Sequence, residues 1–290
     1  MSLTPGDRIV ERLAEDGDGP VPDVVVEPDA DRLARSVAAA LAARLAAAQA
    51  VHGTASVVLT GGGVGTAVLE HVAGLAEEPA PGQDVDWTRV EVWWGDERFV
   101  PADSDDRNEK GARQALLDRV GVPEQRVHAM PASDAGFAEP EEAAEFYAGL
   151  LADAARDTGV EGPLPRLDVL LLGMGPEGHV ASVFPHSPAA SDDRPVVAVR
   201  DCPKPPPTRV SLGFSAIGAA EEVWLLVAGE GKAEAVAAAL GGADPLDLPA
   251  AGARGRRATR WLLDAAAASR LPGTRDDDED REAGSPGTVG

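Results

Sequence analysis

Cysteine is almost missing from this chain: Cys202 is the one thiol in 290 residues, which excludes an internal disulfide framework and any zinc site built on cysteines. Histidine is sparse as well, and its five copies are scattered, so the sequence offers no dedicated metal cluster and implies no cofactor. No run of 18 apolar residues occurs, and no basic segment followed by an apolar one opens the chain. Neither a membrane helix nor an export signal is therefore expected, and the protein reads as cytoplasmic. Lysine is limited to Lys110, Lys204 and Lys232. The formal net charge of −23 argues against nucleic acid as a partner, because neutralising phosphates needs a basic face. The same field repels small anions, so a phosphorylated ligand would require a local pocket of cations.

What the chain does have is alternation. Its length suffices for one large α/β domain with a sizeable core. Residues 1–22 read as a loose arm, 23–27 as a first strand, and Asp29 or Asp31 as the cap of an alanine-rich helix running to about residue 49. Leu33, Val37, Leu41 and Leu45 recur every four residues and predict one buried stripe. A strand over 56–60 leads into Gly61-Gly62-Gly63-Val64-Gly65-Thr66 and a helix over 67–75. Strand, glycine loop and helix start make an anion site, since backbone N–H groups stay free and no side chain blocks the approach. A strand over 89–94 precedes the polar turn Gly95-Asp96-Glu97-Arg98, and Asp106 or Asn108 is the expected cap of a helix through residue 117. His128 lies in an ordinary loop and is read as non-catalytic. A helix over 139–156 is expected to bury Phe146, Leu150 and Ala154.

Residues 167–173 form an aliphatic run ending in Gly173-Met174-Gly175-Pro176-Glu177-Gly178-His179. Three readings compete here. The G-x-G-x-x-G spacing is that of a dinucleotide loop, but such a loop belongs in the first βα unit, ahead of a regular helix, whereas this one runs quickly into Phe184-Pro185. A tight turn with an incidental histidine is the plain reading. The third is a reactive histidine presented at the carboxyl end of a buried strand. Downstream, the proline-rich segment 203–207 carries Lys204 and leads to Arg209, giving local positive charge on an extended backbone. Strands over 195–199 and 222–229 and a helix from Gly231-Lys232 through Leu240 continue the alternation, and the apolar segment 261–264 with its following alanines closes the domain. Lys232 is read as structural. Residues 271–290 form an acidic tail expected to be disordered. The pattern predicts an α/β fold with an open, mostly parallel twisted sheet flanked by helices, a Rossmann-like three-layer architecture, in one domain over 23–270.

Four segments in order, over roughly residues 23–268, resemble the 6-phosphogluconolactonase family, relatives of the glucosamine-6-phosphate deaminases. They are the glycine loop at 61–66, Trp94-Gly95-Asp96-Glu97-Arg98 with its proline at 101, Gly173 to Pro185 around Gly178-His179, and Lys204-Pro205-Pro206 with Arg209-Val210. The resemblance implies metal-independent hydrolysis of 6-phospho-D-glucono-1,5-lactone to 6-phosphogluconate in the oxidative pentose phosphate pathway. It implies proton transfer by His179, with Asp96 orienting that ring or the water, and Arg98 binding phosphate or offsetting developing charge. Lys204 and Arg209, with Gly61, Gly62, Gly63 and Thr66, would grip the phosphate. The partner expected is a small phosphosugar lactone, with no nucleic acid or membrane, for a monomer or small homo-oligomer. Two departures stand out: the loop lacks the family's Ser-Thr-Pro ending, and Pro176-Glu177 replaces the usual Glu-Asp before Gly-His. A deaminase is the alternative activity, yet residues 180–185 lack the Asn-Glu pair expected of one. A non-catalytic phosphosugar-binding module is the alternative of a different class.

Overall fold

Helix formation begins where the side chains allow it. In the computed structural model, which describes residues 8–9 and 21–272, Asp29 accepts a hydrogen bond from the Arg32 N–H at 2.8 Å and so caps α1 (Ala30–His52). The helix outlasts the expected residue 49 and stops at Gly53, whose φ of 79° favours glycine. Leu33, Val37, Leu41 and Leu45 are all buried, each contributing about 1.5–3 kcal/mol of apolar burial. α2 (Gly63–Glu77) packs beside α1. It starts four residues earlier than predicted, so the glycine loop and the first helical turn are one structure.

The main sheet joins β1 (Arg8–Ile9), β2 (Asp23–Glu27), β3 (Ala55–Leu59), β4 (Val90–Trp94), β6 (Val169–Gly173), β9 (Glu222–Val227) and β10 (Ala258–Asp264). Their spatial order is β1-β2-β10-β9-β6-β3-β4. All neighbours are parallel except β1, which pairs antiparallel with β2. Six parallel strands flanked by helices match the predicted α/β architecture. Arg8–Ile9 falls inside the arm expected to be loose; the rest of residues 1–20, and the tail from 273 on, lie outside the described residues. The chain runs from β3 outward to β4 and then returns past β3 to β6, so strand order reverses between β3 and β6. That reversal opens a crevice at the strands' carboxyl ends. The glycine loop follows β3 and the histidine loop follows β6.

A second, antiparallel sheet was not anticipated. β5 (Asp96–Arg98), expected as a turn, pairs with β8 (Arg209–Leu212), which pairs with β7 (Val196–Val199). α5 (Pro140–Thr158) lies against β7 and β8. Its buried face is Ala143, Tyr147, Leu151 and Ala155, one residue on from the expected Phe146 face, and Phe146 is 47% exposed. The two stripes share the same spacing. Tyr147 prevails because its hydroxyl accepts from the Trp94 N–H and donates to the His128 carbonyl, each at 3.0 Å, bonds that phenylalanine cannot make. The remaining helices, α6 (Phe214–Ile217) and α7 (Ala233–Leu240), follow β8 and β9.

α3 (Asn108–Ala112), which continues through a π turn at Arg113–Leu117 into α4 (Asp118–Val120), corrects the predicted cap. Neither Asp106 nor Asn108 fills that role. Arg107 occupies the cap position, and the carboxylate that takes the free N–H groups arrives from another element. Glu97 accepts from the N–H of Asn108 and of Glu109, both at 2.8 Å, and from the N–H of Arg98 at 2.8 Å. The Arg107 guanidinium, almost wholly buried, lies 3.7 Å from it. Burial pushes the Glu97 carboxyl up, against the pull of Arg107 and the three N–H donors. Arg107 keeps its closer ion pair with Glu109 at 2.8 Å, so Glu97→Ala would mainly strand the backbone donors, and should lower unfolding stability by about 1–3 kcal/mol in a urea titration.

Candidate active site

Successive residues of a strand face opposite ways, so β5 sends Glu97 inward to cap α3 while Asp96 and Arg98 share the other face. Across the β5–β8 pair, Arg98 stands opposite Arg209 and Asp96 opposite Ser211. Two like charges directly opposed are unfavourable unless an anion joins them. Asp96 answers part of this, lying 3.7 Å from the Arg209 guanidinium. Its carboxylate also accepts from the Ser182 hydroxyl at 2.6 Å and from the Asn108 amide at 3.3 Å. Arg209 is buried and holds the proline loop, donating to the carbonyls of Pro206 at 3.1 Å and Lys204 at 3.0 Å.

Asn108 also donates to the Asp96 carbonyl at 2.9 Å and lies flat on Gly61, where an added Cβ would fall 2.0 Å from its Oδ1. The glycine loop is thus glycine by contact at Gly61 and by conformation at Gly62, whose φ is 84°. No side chain caps α2 and its first turn holds no acid, leaving its N-terminal N–H groups facing the crevice for an anion. Thr66 donates its N–H to the Gly62 carbonyl and lines an adjoining cleft, which shares Gly61, Gly62, Gly63, Arg98 and Asn108 with the histidine's cavity and also carries Glu70 and Asp105. Thr60, one residue after β3, supplies a hydroxyl to the histidine's cavity, accepting from the Gly173 N–H at 3.2 Å.

The histidine loop is a tight bend. The Gly175 N–H reaches the His179 carbonyl at 3.1 Å, Gly178 has φ of 83°, and Ala181 is held at φ 48°, a conformation that costs a residue with a Cβ. A Cβ on Gly175 would lie 2.1 Å from the His179 Nδ1, so the ring occupies the space that this glycine leaves. The ring stacks on Phe184 with centroids 4.3 Å apart. Its Nδ1 is 3.0 Å from the Glu177 carboxylate. A carboxylate only accepts, so Nδ1 carries the proton and Nε2 the lone pair. Glu177, the departure noted in the sequence, therefore reaches the histidine, and Asp96 does not. The expected option of Asp96 orienting the ring is replaced by Glu177.

Lys204 closes the group, with its ammonium 2.9 Å and 3.1 Å from the two Glu177 oxygens. Partial burial works against the Glu177 charge, but its own backbone N–H, Lys204 and His179 together hold the carboxyl below its usual range. Burial, then the Lys204 charge, push the imidazole below its ordinary 6.5, while Glu177 and Asp96 pull the other way. His179 is thus neutral at pH 7. His128, by contrast, stacks on Trp93 at 3.8 Å and binds Glu91 at 2.8 Å, and it does not line the cavity.

One cavity of about 320 Å³ is lined by Gly61, Gly62, Gly63, Asp96, Arg98, His179, Lys204 and Arg209, the candidate residues other than Thr66. Thr60, Asn108 and Lys232 also line it, and sequence reasoning missed all three. Lys232 stands at the cap position of α7, and no ion pair holds it among the described residues. Burial, then repulsion from Lys204, lower its pKa. Its signals in the sequence were scarcity, as one of three lysines in an acidic chain, and its place in a Val-x-Gly-x-x-Lys segment (227–232) that resembles the family's.

The family described as glucosamine-6-phosphate isomerases/6-phosphogluconolactonase matches residues 28–261. The chain is 50% identical over 251 residues to the 6-phosphogluconolactonase of Mycobacterium tuberculosis, covering 86% of this chain and 98% of that protein. It is 51% identical over 254 residues to that of Streptomyces coelicolor, covering 87% and 95%. Among solved structures, the 6-phosphogluconolactonase of Thermotoga maritima aligns with a TM-score of 0.68 at 27% identity, over 83% of this chain and 98% of that one. The chain belongs to the glucosamine-6-phosphate isomerase/6-phosphogluconolactonase family.

Proposed function

We propose that this protein hydrolyses 6-phospho-D-glucono-1,5-lactone to 6-phospho-D-gluconate in the oxidative pentose phosphate pathway. The observation that carries the reading is a neutral histidine, its tautomer fixed by Glu177, facing a cavity that also holds four cations and an uncapped helix start. A phosphorylated lactone needs both features. The relatives' names and the missing Asn-Glu pair after Gly178-His179 favour the lactonase over the deaminase.

Hydrolysis opens with water attacking the lactone carbonyl while His179 Nε2 takes its proton. The imidazolium then returns that proton to the ring oxygen as the C–O bond breaks, so one residue serves as base and acid. Asp96, on the β5 wall, keeps the role of holding the water, and Arg98 offsets the charge that grows on the carbonyl oxygen. Lys232 joins Lys204, Arg209 and the loop Gly61-Gly62-Gly63 in binding phosphate, with Thr66 on the adjoining cleft that the same glycines line. The whole reading places this chemistry in a single domain over 23–270 of a cytoplasmic monomer or small homo-oligomer. The charge of −23 supports the expectation that nucleic acid is no partner.

The deciding assay generates the lactone with glucose-6-phosphate dehydrogenase and follows its loss through 6-phosphogluconate dehydrogenase, against the spontaneous rate. This protein should accelerate that loss, and His179→Ala should lower kcat by about 10²–10⁴-fold with little change in KM. No acceleration with intact lactone, together with ammonia release from glucosamine 6-phosphate, would replace the lactonase with the deaminase. Lys232→Met should raise KM well above the wild-type value and leave kcat within a few-fold; an unchanged KM would remove Lys232 from the phosphate site.

The acid side of the kcat/KM profile follows from the His179 environment. The base is lost as pH falls through a value below 6.5. Glu177→Gln removes a charge that favours the imidazolium, so its acid limb should lie at still lower pH while the plateau falls. An acid limb that stayed in place would show that Glu177 does not act on the base.

A further inference from the structure

Glu177 has two partners for one charge. The same oxygen that receives the His179 Nδ1–H at 3.0 Å lies 2.9 Å from the Lys204 ammonium, and its second oxygen is 3.1 Å from that ammonium. We propose that Lys204 is a substrate-operated latch on the base: in the free protein it holds both oxygens of Glu177, and the phosphate of an incoming lactone draws it away, leaving Glu177 to His179 alone. The inference rests on the phosphosugar reading above and adds to it how the site distinguishes a phosphorylated lactone from one without phosphate.

The backbone around Lys204 permits such a movement of the side chain only. Arg209 grips the Lys204 and Pro206 carbonyls, and the Cys202 N–H binds the Pro207 carbonyl at 2.9 Å. The Lys204 side chain is 40% exposed and lines the same cavity as Lys232. Both ammonium groups line that cavity, and the Lys204 charge disfavours that of Lys232. A dianion placed between them relieves the repulsion and offers Lys204 more charge than a carboxylate already shared with histidine.

The consequence falls on the ring. Glu177 from its own loop, Lys204 from the proline segment and Asp96 from β5 act on His179, while Arg98, Arg209 and Lys232 face it across the cavity and Phe184 covers one side. Lys204 is the cation set against the imidazolium through Glu177. With its charge answered by phosphate, the ring becomes a stronger base only when a phosphorylated substrate is bound. Phosphate binding is then converted into rate at the carbonyl and not into affinity alone. Lys204 is on this account a positioning residue as well as a phosphate contact.

The full chain with ring-labelled histidine tests this by NMR, with the His179 signals identified by their loss in His179→Gln. The titration midpoint of His179 should rise when 6-phosphogluconate saturates the wild-type protein and stay in place with D-gluconate. In Lys204→Met, a change at a half-exposed side chain, the midpoint should start higher and move less with 6-phosphogluconate. An equal rise in both proteins would show that the anion's own field suffices and would overturn the latch, as would no rise in the wild type at saturation. Lactone turnover on the same wild-type preparation reports separately on the reaction, so its absence would defeat the proposed function whatever the midpoints do.

Discussion

The Glu97 carboxylate is the constraint on which the site depends. It collects three backbone N–H groups from two elements, its own strand and a helix eleven residues on, and sits beside a buried guanidinium. By seating the start of α3 against β5, it delivers the Asn108 amide to Asp96 and onto Gly61. Strand, helix and glycine loop are thereby set at fixed separations, and the alternation of β5 turns Asp96 and Arg98 toward the cavity. An acid between two acknowledged site residues is thus the anchor that gives both their places.

Electrostatics inside the crevice run against those of the chain. A molecule with a formal charge of −23 gathers Arg98, Lys204, Arg209 and Lys232 around one cavity. The internal acids are committed: Glu97 to α3, Asp96 to Ser182 and Arg209, Glu177 to Lys204 and His179. What remains is an excess of positive charge in a recessed space, where interactions are stronger than at the surface. The acidic exterior discourages indiscriminate anions, and the cavity accepts one that fits.

The parts of this arrangement legible in the sequence are those fixed within a few residues of chain. The α1 stripe, the strand that ends in Gly173 and the two glycine loops declare themselves through spacing and local conformation. What was not legible depends on contacts between distant segments. Phe146 and Tyr147 offer equivalent helical stripes until Trp94 and His128 present the groups that a hydroxyl can satisfy. Thr66 and Thr60 flank the same loop, and the early start of α2 puts Thr66 on the adjoining cleft while Thr60 lines the cavity with His179. Lys232 enters the cavity because β9 lies beside β6, a neighbour relation that no local pattern encodes. Glu177 was visible as a departure, but its double pairing required the proline loop to be folded across it.

The position of β10 has a consequence for how the chain is made. This strand comes near the end of the described sequence, yet it lies between β2 and β9, with five residue pairs to one and six to the other. While the nascent chain is still emerging, β2 and α1 have no hydrogen-bonded path through the sheet to the strands that carry the histidine loop. The edge of β9 stays open over the same interval. The ribosome must therefore release residues 258–264 before the sheet can close, so a messenger truncated between β9 and β10 yields two partial sheets with exposed edges, the kind of species that chaperones and proteases recognise.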